Sequence, residues 1–153
     1  MKVTELMDKN LIIPELYSKT KKEVLKELVD CIVKKESGID SNEFLRVLLE
    51  REELGSTGIG DGIAIPHGKV KKIKKLIVSF GRSLDGVDFK SMDGKPTHII
   101  FLLIAPENSA GIHLKALARI SRLLKDSGFR KNIMEANSSQ KIYDIIAQED
   151  EKY

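Results

Sequence analysis

The segment that most limits the possible folds is THIIFLLIAP, residues 97–106, which is apolar along almost its whole length. An unbroken apolar run of this kind is typical of a β-strand that is covered on both faces. It is far shorter than the ~20 residues that a membrane-spanning helix needs. We therefore predict a central strand here and no direct insertion into a membrane.

Helical and strand patterns lie on both sides of this run. The preceding chain predicts a helix over about Lys19–Lys35 and another in SNEFLRVLLEREEL, which Asp40 or Ser41 caps and which buries Phe44, Leu45, Leu48 and Leu49. Two more strands are predicted at IAIPH and KLIVSFGRSL. The chain after the central strand predicts a helix over about Gly111–Lys125, with shorter helices at GFRKNIMEA and SSQKIYDIIAQ. The apolar face of the Gly111–Lys125 helix is predicted to consist of Leu114, Leu117, Ala118, Ser121 and Leu124.

This order of elements predicts an α/β fold, a mixed β-sheet with helices packed on both faces. A length of 153 residues suits one domain, and we expect residues 1–153 to form it. The net charge of +3 and the absence of tryptophan argue against nucleic-acid binding. Without a signal-peptide pattern at the N-terminus, a cytoplasmic location is expected. The single cysteine, Cys31, cannot form an internal disulfide and is predicted to be a core thiol.

Residues 55–70, GSTGIGDGIAIPHGKV, hold five of the eleven glycines and end beside His67. Glycine-rich turns often bind phosphate, because several backbone N–H groups can converge on one anion. The known nucleotide patterns do not fit: Asp61 follows Gly60 where a Walker loop needs lysine, and Ile63 stands where a dinucleotide fingerprint needs glycine. A G-x-S-x-G hydrolase turn is also absent.

His67 is the residue in this loop that could carry chemistry. Pro66 fixes its own φ and holds Ile65 extended, so the strand IAIP should end at the histidine. Gly68 leaves one side of the ring open. A neutral imidazole is a competent nucleophile near pH 7 and can carry a phosphoryl group as a phosphoramidate.

Several further residues are candidates for binding that phosphoryl group. Arg51 offers a planar fork of donors, and the third helix begins near His113, where N–H groups and the helix dipole favour an anion. The remaining candidates supply hydroxyl or backbone donors: Ser56, Thr57, Gly58 and Gly60. Each candidate also has a structural alternative, such as capping a helix or loop or adopting a positive φ. The third histidine, His98, opens the apolar strand and is predicted to be structural.

The segments REELGSTGIGDGIAIPHGKV and IHLKALARIS together resemble the enzyme IIA domains of the bacterial sugar phosphotransferase system, of the fructose/mannitol and nitrogen-regulatory type. This resemblance implies that His67 accepts phosphate from an HPr-type carrier, that His113 is the second active-site histidine and that Arg51 binds phosphate. It also implies transfer to a IIB domain without a metal or other cofactor.

Two other functions stay open at this stage. A nitrogen-regulatory protein would use the same histidine but act through phosphorylation-dependent binding to a target protein. A metal-dependent hydrolase built on His67, His113 and Asp61 is a third possibility, although the spacing matches no known set of metal ligands. The lysines at positions 69, 71, 72, 74 and 75 are predicted to form a solvated face, which would attract phosphate but could repel a basic carrier.

Overall fold

The computed structural model describes residues 1–36 and 38–153. The described residues form one sheet of six strands: β1 (Ile12–Ile13), β2 (Gly58–Gly60), β3 (Ile63–Ala64), β4 (His67–Val70), β5 (Ile77–Val87) and β6 (Thr97–Pro106). They also form five α-helices: α1 (Lys21–Lys35), α2 (Ser41–Glu53), α3 (Ala110–Leu124), α4 (Ser127–Glu135) and α5 (Ser139–Asp150). Two short 3-10 helices, Val3–Glu5 and Lys9–Leu11, precede β1.

Strand β6 lies in the middle of the sheet, as its apolar sequence predicts. It pairs antiparallel with β5 and parallel with β3 and β4. Outside these, β1 runs parallel to β5 and β2 runs antiparallel to β3. The prediction of a mixed sheet is therefore confirmed.

Helices cover both faces of this sheet, which confirms the predicted layers. Successive side chains of a strand point to opposite faces, so alternate residues of β6 belong to different cores. Ile100, Leu102 and Ile104 pack with residues of α1 and α2. Ile99, Phe101 and Leu103 pack with residues of α3, α4 and α5.

The helix boundaries follow from capping side chains. Thr20 accepts a hydrogen bond from the backbone N–H of Glu23, so α1 begins two residues later than predicted. Asp40, one of the two predicted caps, accepts from the backbone N–H groups of Asn42 and Glu43. None of the helices in the described ranges has the length and apolar character that crossing a membrane requires.

The predicted buried face of α3 is only partly correct: Leu124 is buried and Leu117 packs against the core, but two other members of that face are exposed. Leu114 is 65% exposed and Ala118 is also exposed, whereas the residues that turn to the sheet are Ala116, Ile120, Leu123 and Leu124. Apolar residues lie on more than one side of this helix, so helical spacing alone does not determine which side the sheet covers.

The prediction of a core thiol is also not met. Cys31 is half-buried, and its Sγ donates to the carbonyl oxygen of Asn10. Partial burial raises the pKa of this thiol.

Candidate functional site

Strands β3 and β4 are two parts of one extended segment that Pro66 interrupts. Ala64 pairs with Ile100 and His67 pairs with Leu103, so the register against β6 is the same before and after the proline. The carbonyl oxygen of Pro66 still accepts from the backbone N–H of Leu103 at 3.0 Å. The predicted strand IAIPH therefore keeps one register against β6 along its length, although Pro66 divides it into β3 and β4. This pairing fixes the position of His67.

The ring of His67 has a defined tautomer. Its Nδ1 lies 2.8 Å from the carbonyl oxygen of Ile65. A carbonyl oxygen can only accept, so Nδ1 must carry the proton. The lone pair of the neutral ring is then on Nε2, which is the nitrogen available to attack an electrophile.

A second imidazole stands next to this one. The ring centroids of His67 and His113 are 5.4 Å apart, and their planes meet at 65°. His113 is 6% exposed, and its Nδ1 is buried with no hydrogen-bond partner among the described residues. This nitrogen is enclosed by the protein, so a ligand in the neighbouring cavity would contact the ring at Nε2.

The environment of His113 keeps its ring neutral. Burial lowers its pKa below 6.5, and the nearby His67 and Lys69 lower it further. Its backbone N–H donates to the carbonyl oxygen of Ser109 at 2.8 Å. The side chain of His113, and not its backbone N–H, is therefore the group that this position can offer to a ligand.

Arg51 also lies beside His67. It occupies the last turn of α2, and its Nη1 donates to the carbonyl oxygen of Gly55 at 2.8 Å. Arg51 and His67 both line a cavity of about 600 Å³, which we call the histidine cavity and whose walls include Val47, Arg51, Leu54, His67, Lys69 and His113. The same two residues also line a smaller cavity of about 200 Å³.

The smaller cavity contains Ser56 and Thr57, but their hydroxyl groups already donate elsewhere. Ser56 Oγ donates to the carbonyl oxygen of Phe89 at 3.1 Å, and Thr57 Oγ1 donates to the carboxylate of Glu52. Glu52 is buried and pairs with Lys21 Nζ at 3.0 Å. In this arrangement the two hydroxyl groups hold the loop in place.

The glycines at 58 and 60 shape the loop in two different ways. Gly60 has a φ of +102°, a backbone conformation that residues with a side chain rarely adopt. A Cβ on Gly58 would lie 3.1 Å from the Cα of Ser91. The N–H of Gly58 donates to Ser56 Oγ. Neither glycine is among the described residues that line the two cavities at His67. Close packing and turn geometry explain both residues without a ligand.

Two residues near His67 were not picked out as site residues by the sequence. Ser121 of α3 lines the smaller cavity, and Lys69 lines the histidine cavity. The alternation of β4 puts Lys69 on the same strand face as His67, and that signal was present in the sequence. Nothing local indicated that Ser121 would reach the loop.

The structure separates the remaining candidates from this site. His98 Nδ1 lies 2.8 Å from the carbonyl oxygen of Ser83, and the ring lines another cavity together with Asp61. Asp61 is therefore not grouped with His67 and His113. Across residues 1–36 and 38–153, no three histidine, cysteine or acidic side chains cluster closely enough to hold a metal ion.

Comparison with known proteins gives one family. The profile described as "Phosphoenolpyruvate-dependent sugar phosphotransferase system, EIIA 2" matches residues 5–149. The chain is 42% identical to a nitrogen regulatory protein of Bradyrhizobium diazoefficiens, over 96% of this chain and 95% of that protein. It is 43% identical to a fructose-specific EIIABC component of Bacillus subtilis, over 98% of this chain but only 24% of that longer protein.

Solved structures agree with this result. The nitrogen regulatory protein IIA-Ntr of Neisseria meningitidis superimposes with a TM-score of 0.87 at 31% identity, covering 94% of this chain and 98% of that one. The fold is also that of enzyme IIA mannitol of Escherichia coli, solved in complex with phosphorylated enzyme IIB mannitol, with a TM-score of 0.78 at 21% identity over 94% and 99% of the two chains. The chain belongs to the EIIA type 2 family of the phosphoenolpyruvate-dependent sugar phosphotransferase system.

Proposed function

We propose that this chain is a phosphoryl carrier that accepts phosphate on Nε2 of His67 from an HPr-type phosphocarrier protein and passes it to a IIB domain. The observation that carries this proposal is that His67, Arg51 and His113 line one cavity, where the 2.8 Å bond from Nδ1 of His67 to the carbonyl oxygen of Ile65 holds the ring. That bond fixes the proton on Nδ1 and leaves the lone pair of Nε2 for phosphorus, in a cavity that also holds a guanidinium group and a second imidazole.

The transfer step is balanced without a cofactor. The lone pair of His67 Nε2 attacks the phosphorus of the donor's phosphohistidine, and a new N–P bond forms as the donor's N–P bond breaks. The electron pair of the broken bond stays on the donor nitrogen, which leaves as part of a neutral imidazole if its other nitrogen is protonated. His67 keeps its Nδ1 proton, so the step needs no separate acid or base.

Arg51 and His113 both support this transfer. The guanidinium group can bind two phosphoryl oxygens at once, and the carbonyl of Gly55 holds the side chain at the edge of the cavity. His113 is neutral near pH 7 and provides one ring N–H for a phosphoryl oxygen. Phosphoryl transfer depends mainly on such positioning and charge stabilisation. Ser56, Thr57, Gly58 and Gly60 then act by holding the loop that carries His67.

The proposal also includes the domain organisation, the location and the cofactor content of the protein. It treats residues 1–153 as one domain that works in the cytoplasm, without a resident metal or cofactor. A IIB partner is supported by the shared fold with the mannitol IIA protein, whose solved complex contains phosphorylated IIB.

A second candidate function is a nitrogen-regulatory role, in which the phosphorylation state of His67 controls binding to a target protein. The 42% identity to a nitrogen regulatory protein over 96% of this chain favours it. The chemistry at His67 would be identical, so only the acceptor distinguishes the two functions.

The test is an assay of phosphate transfer in two stages. Purified protein is mixed with phosphorylated HPr-type carrier, and acid-labile phosphate on the chain is measured. The labelled chain is then mixed with IIB domains of the fructose and mannitol types. Transfer to IIB supports the sugar pathway, whereas labelling without transfer to any IIB domain supports the regulatory role. A chain that takes no phosphate from any carrier contradicts both.

A further inference from the structure

We propose that Lys69 binds the phosphoryl group in the histidine cavity, as the second cation beside Arg51. This inference rests on the proposed function of His67. It concerns a residue from the lysine-rich run that the sequence alone assigns to a solvated face.

The first observation is the placement of Lys69 in the sheet. His67 pairs with Leu103 and Lys69 pairs with Ala105, so the two residues are two apart on β4 and point to the same face. The residues between and after them, Gly68 and Val70, are buried on the opposite face. The strand therefore fixes where the lysine side chain starts, directly beside the nucleophile.

The second observation is that the lysine reaches the same cavity as both imidazoles. Lys69 lines the histidine cavity together with Arg51, His67 and His113. Its charge is one of the causes that lower the pKa of His113, after burial and the neighbouring His67. Within residues 1–36 and 38–153 it forms no ion pair, whereas Lys75 of the same run pairs with Glu36 at 3.6 Å.

The third argument is the charge of the cavity. The charged residues that line it are two cations, Arg51 and Lys69, and two carboxylates, Glu50 and Glu53. His113 adds no charge, because it is neutral near pH 7. A phosphoryl group brings close to two negative charges. Without Lys69, a single arginine would face that group and two carboxylates. Within residues 1–36 and 38–153, Glu50 pairs with Arg46 at 3.0 Å and Glu53 forms no ion pair.

The ammonium group is exposed in the free protein, where water and salt weaken its effect. A carrier that docks over the cavity removes that water, and the interaction between the lysine and the transferring phosphoryl group then becomes stronger. Lys69 is thus expected to act during transfer and to contribute little to folding.

The experiment compares Lys69→Gln with the matched control Lys71→Gln. Both variants remove one positive charge from an exposed side chain of the same run, but Lys71 is not part of the cavity wall. Single-turnover labelling is measured over a range of concentrations of phosphorylated carrier. The small donor phosphoramidate is used in parallel, because it has no protein surface for the lysines to attract.

Lys69→Gln should lower the maximal rate about tenfold with both donors, with an unchanged half-saturating carrier concentration. Lys69→Arg should recover most of the rate, and Lys71→Gln should match wild type. Equal maximal rates for Lys69→Gln and wild type overturn the proposal. So does a higher half-saturating concentration in both glutamine variants, which would mean that the lysines only attract the carrier.

The two donors also separate this proposal from the proposed function. If phosphoramidate labels His67 but no protein carrier does, the proposed carrier role fails while the phosphoramidate rates still test Lys69. If neither donor labels wild-type protein, both proposals are wrong.

Discussion

His67 and His98 have the same local bond and different surroundings. In each ring, Nδ1 lies 2.8 Å from a backbone carbonyl oxygen, that of Ile65 for His67 and that of Ser83 for His98. Both residues belong to strands of the same sheet, β4 and β6. The fixed tautomer is therefore common to the two histidines and does not by itself mark a site.

The neighbours make the difference. Around His67 three separate segments bring Arg51, Lys69 and His113 to one cavity of about 600 Å³. His98 lines a cavity of about 160 Å³, where the guanidinium group of Arg130 already donates to the carbonyl oxygen of Leu124. Its ring also packs between Gly62 and Gly86. We therefore expect a reactive histidine to be distinguished by the residues that line its cavity and not by its tautomer.

The largest expected effect is the difference between His67→Ala and His98→Ala. The first variant should lose all acid-labile phosphate, because the accepting nitrogen is gone. The second should be labelled like wild type and lose about 1 kcal/mol of stability, owing to the missing hydrogen bond to Ser83. Labelling with phosphorylated carrier and thermal melting measure the two effects. Equal labelling of both variants would contradict the comparison.

A change at His113 should have the next largest effect. His113→Ala should still accept phosphate on His67, but roughly a hundredfold more slowly, since one donor to the transferring group is lost. Lys115→Ala is the control, because Lys115 lies on the same helix, is exposed and is outside the cavity wall. Single-turnover rates decide the matter, and a wild-type rate for His113→Ala would make this histidine structural.

Arg51→Lys should slow transfer by about tenfold, because lysine keeps the charge but loses the planar pair of donors. Arg46→Lys is a matched control from the same helix, where the arginine is exposed and pairs with Glu50. The melting temperatures should be similar for both. A rate within twofold of wild type for Arg51→Lys would remove the arginine from the site and leave it as a cap for Gly55.

The smallest expected effect concerns pH and stability. Because the pKa of His113 is lowered by folding, the unfolded chain takes up a proton below pH 6.5 that the folded chain does not. Stability rises with pH where the unfolded state binds more protons, so this residue destabilises the fold as pH falls through 6.5 towards the lowered value. His113→Gln should therefore reduce the drop in melting temperature between about pH 7.5 and pH 5.5, by about 2 °C. An unchanged drop would show that His113 is not held neutral.

The layers of the fold could be predicted from the sequence because they depend on regular patterns. The apolar run of β6 and the capping residue Asp40 each act over a few neighbouring positions. The buried face of α3 could not be predicted, since which side of the helix meets the sheet depends on packing partners far along the chain. For this reason Leu114 is predicted to be on the buried face of α3 but is exposed.

The residues of the candidate site also fall into two groups, those that a local sequence pattern indicates and those whose roles depend on distant parts of the chain. The Gly/Pro setting of His67 is a local signal, so the sequence singles it out. The role of Thr57 is set by Glu52 and Lys21, which form a buried ion pair at 3.0 Å that no local pattern indicates. The approach of Lys69 to His113 likewise needs the placement of α3 beside β4, and therefore appears only in three dimensions.

The unbroken register across Pro66 also decides how this chain can change length during evolution. Side chains of a strand alternate between faces, so removing one residue between Ala64 and His67 would turn the imidazole toward Val47 and Leu48 of α2, where Gly68 now lies. Insertions and deletions should therefore be absent from that short stretch in descendants that keep the chemistry. The turn after Val70, where exposed lysines follow the end of pairing, is free to vary in length.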